Sequence, residues 1–467
     1  MALSQKFTCC GSASSRICAV ALIALLTLVH GIMHPSWAAN RHLIRDAELE
    51  TTIRSFATPL LKAAGLRPEV VDIIIIADPA VNAFVAGGAN IFINTGLLQR
   101  TTHANQLIGV LAHEIGHIRG GHLARTRSAA QAASKMATIA MILGIATTIA
   151  TGRGDAGAAI ASGGGASARQ AFLAYSRGQE SAADQAALNL LAATGQSAHG
   201  LEQFLGILDN QSALSERFRD AYALTHPLSR ERMVTVRRAA DASAEIATAA
   251  DITAAYDRMI AKLNGFLRAP TWIYQHYPEH DKSLPARYAR AIAAHRDGDT
   301  GLALKRLDIL LGDFPNDVFF VELKGQIYLE SGQPVAAEQA YRQAVGLART
   351  AGLPAATVAA LELDLGRALL SGNQTAGDHA AVTTLTPLAR FLGDDPLYWR
   401  QLAIARGRTG DDALAALALA EAAIRRYQLA DAQRFAQRAV RQLKTGSPAW
   451  LRANDIAAQV AQRLKKR

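Results

Sequence analysis

Residues 107–118 read Leu107-Ile108-Gly109-Val110-Leu111-Ala112-His113-Glu114-Ile115-Gly116-His117-Ile118. Leu107, Val110, Leu111, Ile115 and Ile118 recur at helical spacing, which predicts a helix from Asn105 to about Ser128. Four residues turn an α-helix by about 400°, so His113 and His117 leave one face about 6 Å apart. That spacing lets two imidazoles share one tetrahedral Zn²⁺. Glu114 falls on the adjoining side of the face. There it cannot easily ligate the same ion, but it can hold a water and take its proton, as hydrolysis by a zinc peptidase requires.

A catalytic zinc, one per chain, needs a third protein ligand and an open position. The His of the longer metzincin motif would fall at 123, which is Leu123; His122 stands one residue early, about 100° round a continuous helix. It reads as a helix-surface residue or as a support behind a ligand. The stretch Arg177-Gly178-Gln179-Glu180-Ser181-Ala182-Ala183-Asp184 opens a strongly helical run through Leu191. Glu180 can complete a His₂Glu set, while Asp184, one turn on, accepts the free N–H of a zinc histidine and fixes its tautomer. The competing reading makes both ordinary solvated charges.

Upstream, Leu43, Ile44, Ile53, Phe56, Leu60 and Leu61 predict a helix over 42–65, closed at Gly65. The β-branched run Val70–Ile76 and the alternating Asn90–Asn94, flanked by Gly87-Gly88, predict two strands. The expected fold is mainly α with a small β-sheet, α+β in class, followed by an α-helical solenoid. In that second part Ala291/Gly325, Gly298/Gly332 and Ala303/Ala337 are each 34 residues apart, the tetratricopeptide period. Gly372 and Gly410 mark later, irregular turns. The division expected is 1–38 leader, 39–270 peptidase domain and 271–467 repeat domain.

At 467 residues with half of them hydrophobic and 19% charged, the chain is neither a single small module nor disordered. Residues 400–467 hold 14 Lys and Arg against 5 Asp and Glu, nearly the whole net charge of +10. These arginines lie along amphipathic helices without interleaved aromatics, which speaks against a nucleic-acid partner. Lys6 and Arg16 precede an uncharged run from Ile17 to Val29, too short to span a bilayer and suited to a signal-peptide core, with Ser36-Trp37-Ala38 before a cut at Ala39. Such export places the mature chain in an extracytoplasmic compartment, which the resemblance given below narrows to the periplasm. All three cysteines, Cys9, Cys10 and Cys18, fall within that segment, so the mature chain has neither disulfide nor thiol chemistry. Met136 to Gly152 carries no charge, and six glycines follow between Thr151 and Gly165. This is either a pair of apolar helical segments over the site, offering residues 136–152 for peripheral membrane contact, or a buried helical hairpin.

Four segments in order resemble the HtpX-like and CaaX-protease-like gluzincins, in particular their periplasmic branch with tetratricopeptide repeats. They are Asn82 to Gly88 with Asn94 to Leu98; Leu111 to His117 with His122; Ser176 to Asp184; and Thr225-His226-Pro227 followed by Arg232. The resemblance implies zinc on His113, His117 and Glu180, Glu114 as general base, and a strand near Ile91, with Gly88 and Asn90, as the edge against which a substrate backbone pairs. It implies an exported zinc endopeptidase of envelope quality control whose substrates are unfolded or misassembled outer-membrane proteins, partnered with the assembly machinery through its repeats. The alternative is an assembly chaperone or adaptor with a latent or vestigial site. His226 has two readings: a fourth ligand that closes the site, or, with Arg232, a donor to the oxyanion.

Overall fold

The computed structural model describes residues 43–151, 154–212, 226–243 and 246–465. The leader, its cleavage point and Thr225 lie outside the described residues. The described part of the chain opens with a short strand, β1 (Leu43–Ile44), where the apolar spacing suggested helix. Asp46 then starts α1 (Ala47–Ala63), its carboxylate accepting from the Glu48 and Leu49 amides at 3.0 and 2.9 Å. Beyond α1 lie β2 (Ile73–Ile76), β3 (Ala83–Ala86) and β4 (Asn90–Asn94), in the sheet order β1-β2-β4-β3. β2 runs parallel to β4; β1 and β3 are antiparallel to their neighbours. One face of this sheet buries Ile73, Ile75, Ile91 and Ile93 against Leu49, Ile53 and Phe56 of α1.

The sheet order corrects the expected substrate edge. β4, with Asn90 and Ile91, is paired on both sides, and Gly88 lies in the β3–β4 turn, where Gly87 and Gly88 take φ of +63° and +109°. The open edge next to β4 is β3, a strand the turn-like composition had hidden. Asn94 N–H donates to Asn82 O at 2.9 Å, so the alternation of an antiparallel ladder turns the Ala83 and Val85 backbone groups outward.

Next come α2 (Thr95–Arg100), α3 (Ala104–Arg119), α4 (His122–Thr151), α5 (Gly154–Ala193), α6 (His199–Ser212), α7 (Arg230–Ala242), α8 (Ala250–Leu267) and α9 (Pro270–His276). Every residue of α3 from Ala104 to His117 is buried. Two of its glycines allow this: a Cβ on Gly109 would lie 2.8 Å from Leu201 N, and one on Gly116 2.8 Å from Ala183 O. α3 is thereby held backbone-close to α6 and α5. The helix expected to run on to Ser128 breaks at Gly120-Gly121, where Gly121 adopts φ +61°. α4 and α5 form a long hairpin on which Met136, Ile139, Met141 and Leu143 are each more than half exposed. That overturns the buried-hairpin reading. No described helix is long and apolar enough to cross a membrane.

The C-terminal region is helical throughout its described length: α10 (Leu284–Arg296), α11 (Thr300–Asp313), α12 (Val318–Glu330), α13 (Pro334–Thr350), α14 (Ala355–Ser371), α15 (Thr375–Leu385), α16 (Ala389–Leu392), α17 (Pro396–Arg408), α18 (Asp412–Arg425), α19 (Leu429–Gln442) and α20 (Pro448–Lys465). The pairs α10/α11 and α12/α13 carry the 34-residue period, and Gly298 and Gly332 turn between paired helices at φ +85° and +76°. Gly325 lies against the Tyr341 ring. In the third pair the left-handed residue is Asn373 rather than Gly372. The array meets α1 and α8 through buried and half-buried charges: Lys262 Nζ lies 2.9 to 3.2 Å from Asp46, Glu48 and Glu322, and Arg258 pairs with Asp317 at 2.5 and 2.7 Å.

Candidate metal centre

α3 and α5 cross at Gly116 and Ala183, which brings the expected ligands together. His113 Nε2 lies 3.1 Å from His117 Nε2 and 3.3 Å from a Glu180 oxygen, and His117 Nε2 lies 3.4 Å from the other. His226 joins them, its Nδ1 3.4 Å from His113 Nε2 and 3.1 to 3.2 Å from Glu180. Donors about 2.0–2.1 Å from one tetrahedral centre stand about 3.3 Å apart, so the four residues match the requirements of a single Zn²⁺. All four are buried, with His117 the most accessible at 9%.

The groups behind the ligands are equally buried. Asp184 Oδ1 lies 2.9 Å from His113 Nδ1, an ion-pair contact on the side of the ring away from the cluster that Nε2 faces. Arg232 donates to Asp184 through Nε and Nη2 at 2.6 and 2.9 Å, to Glu180 at 2.9 Å and to Pro227 O at 3.1 Å. Glu180 and Asp184 are thus not solvated charges. Arg232, 2% exposed, holds the acidic residues from behind. The spacing from Pro227 placed Arg232 near the site but carried no sign of which carboxylate it meets.

Charge balance follows from these contacts. Burial alone would push the His113 imidazole down, but Asp184 and Glu180 outweigh it and push it up to about 9. Burial would raise Glu180, yet hydrogen bonds from His113 and His226 hold it well below the carboxylate range. Asp184 behaves likewise, with Arg232 as its strongest partner. Burial, then the charges of His113 and His226, drives His117 well below its ordinary value. Glu114 is raised by burial; it is fully enclosed, neither carboxylate oxygen has a hydrogen-bond partner among the described residues, and Oε1 faces His226 Nε2 at 3.5 Å.

The sequence profile of Peptidase family M48 matches residues 43–240, the span that supplies all of these side chains. The chain carries a Peptidase family M48 domain. It is therefore a metallopeptidase, with the His-Glu cluster as its metal-binding candidate. Relatives extend beyond the M48 domain. A "Beta-barrel assembly-enhancing protease" of Yersinia pestis is 27% identical over 391 residues, covering 81% of this chain and 77% of its own. Its namesake in Escherichia coli strain K12 is 26% identical over 337 residues, covering 71% and 67%.

Of the two readings of His122, the structure favours the one that puts it behind His117. The break at Gly121 turns the chain back, and His122, 6% exposed, places its Nδ1 2.9 Å from His117 Nδ1. It lies behind a ligand and not on a helix surface.

Proposed function

We propose that the chain is an exported, periplasmic zinc endopeptidase of envelope quality control that cleaves misassembled outer-membrane proteins, with a tetratricopeptide domain, divided from the peptidase near residue 270, that engages the assembly machinery. The observation that carries the catalytic part is the matched donor set of His113, His117 and Glu180 beside a Glu114 carboxylate with no hydrogen-bond partner among the described residues. The relatives' shared printed name supports the substrate class, and the helical array supports docking to other proteins.

When bound, zinc would supply a Lewis acid that polarises a peptide carbonyl and lowers the pKa of water. Glu114 then takes the proton of the attacking water and returns it to the leaving amine, a role for which a raised carboxylate value is suited. Asp184 keeps His113 in the required tautomer, and Arg232 keeps Asp184 and Glu180 ionised and in place. A substrate strand pairs with the outward backbone groups of β3.

His226 supports a latent resting form. Its Nε2–H donates to Ala83 O at 3.2 Å, so it holds the β3 edge while its Nδ1 joins the donor set. Both the fourth position and one edge carbonyl are then taken, and activity requires the His226 segment to leave. The test is hydrolysis of an unfolded β-barrel protein by the full mature chain. Chelation should abolish cleavage and one equivalent of zinc should restore it; cleavage that survives chelation would end the reading.

A further inference from the structure

The M48 domain has a second support for its metal ligands, on the side away from Asp184. His117 Nε2 points to His113 Nε2 and Glu180, so it is the nitrogen that must offer a lone pair to a metal. Its proton is therefore on Nδ1, and the acceptor that the described residues place against that atom is His122 Nδ1 at 2.9 Å. His122 must then carry its own proton on Nε2. Two features hold the ring there. Gly120 leaves the space: a Cβ at that position would lie 2.3 Å from His122 Nε2. Gln179, the neighbour of Glu180, donates to His122 O at 3.3 Å and accepts from Thr126 Oγ1 at 2.7 Å. The turn bearing His122 is thereby tied to the helix bearing the third ligand.

We infer that His122 is a positioning residue for metal binding: it fixes His117 as the Nδ1–H tautomer and, with Gly120 and Gln179, sets the distance between the two histidines and Glu180. This rests on the zinc reading of the site, and the two fail differently. A wild-type chain that binds no zinc sinks the zinc reading; the variants below sink only this one. Supporting partners of this kind cost about 10–100-fold in metal affinity when removed.

The experiment measures zinc affinity by chelator competition on the full mature chain, alongside thermal unfolding of the metal-free form. His122→Asn places an amide oxygen where Nδ1 now lies and should keep affinity within a few-fold of wild type. His122→Gln carries its acceptor one bond further out, toward Gly120, and should lose about 10–100-fold. Gly120→Ala has a backbone already helical at φ −71° and should weaken zinc like His122→Gln, since the new methyl displaces the imidazole. The metal-free forms should unfold within a few degrees of wild type. Wild-type affinity in His122→Gln overturns the inference, and so does equal loss in the Asn and Gln variants, which would assign the effect to packing.

Discussion

Replacing Arg232 by Met tests whether the ligands are held from behind. The guanidinium makes two bonds to Asp184 at 2.6 and 2.9 Å, one to Glu180 at 2.9 Å and one to Pro227 O at 3.1 Å, all in a site from which water is nearly excluded. Met fills much of the same volume but leaves Asp184 and Glu180, both buried, without the guanidinium. Removing one partner of a buried ion pair costs about 3–5 kcal/mol. The sign with pH is fixed by Asp184, whose carboxyl is held below its ordinary range chiefly by Arg232 against the effect of burial. A depressed carboxylate contributes stability above the unfolded value of about 3.9, and that contribution fades as pH falls through the folded value. Urea unfolding of the metal-free full chain should therefore show Arg232→Met weaker by about 3–5 kcal/mol at pH 7, with the deficit closing below about pH 4. A loss under about 1 kcal/mol at pH 7, or one unchanged between pH 7 and pH 3, would refute the reasoning.

Two other substitutions probe the same geometry. Gly116→Ala puts a methyl 2.8 Å from the Ala183 carbonyl, so α3 and α5 must separate; stability should fall by about 1–3 kcal/mol and zinc should bind more weakly. Unchanged affinity would mean the crossing does not set the ligand distances. His226→Ala should raise basal hydrolysis with zinc retained, by about tenfold if the closed form is favoured by only ~1.4 kcal/mol. A folded, zinc-loaded variant slower than wild type would assign His226 to the oxyanion instead.

The candidate cluster and Asp184 were legible because their spacing lies within single helices: His113 and His117 are four apart on α3, and Glu180 and Asp184 four apart on α5. The repeats were legible because glycine turns and small crossing residues recur at a fixed period. What failed depended on contacts across the chain. Leu43 and Ile44 fit a helical period but are drawn into the sheet by pairing with Ile76 and Ile75. Ala83–Ala86 carries weak strand signals and forms β3 because β4 offers a free side, which moves the open edge away from Ile91. The helix was extended through Gly120-Gly121, where Gly121 turns at φ +61°, so the period alone left both readings of His122 open. Arg232 belongs to Asp184 only because α7 packs on α5.

The central claim is that a zinc held by His113, His117 and Glu180 works with Glu114 as the base. Zinc content and casein hydrolysis measured together on wild type and Glu114→Gln test it most directly, because the substitution removes the base and no ligand. Both proteins should hold one zinc per chain, and the variant should lose about 10²–10⁴-fold in rate. Hydrolysis by Glu114→Gln at the wild-type rate, or a wild-type chain that hydrolyses casein without zinc, would contradict the account.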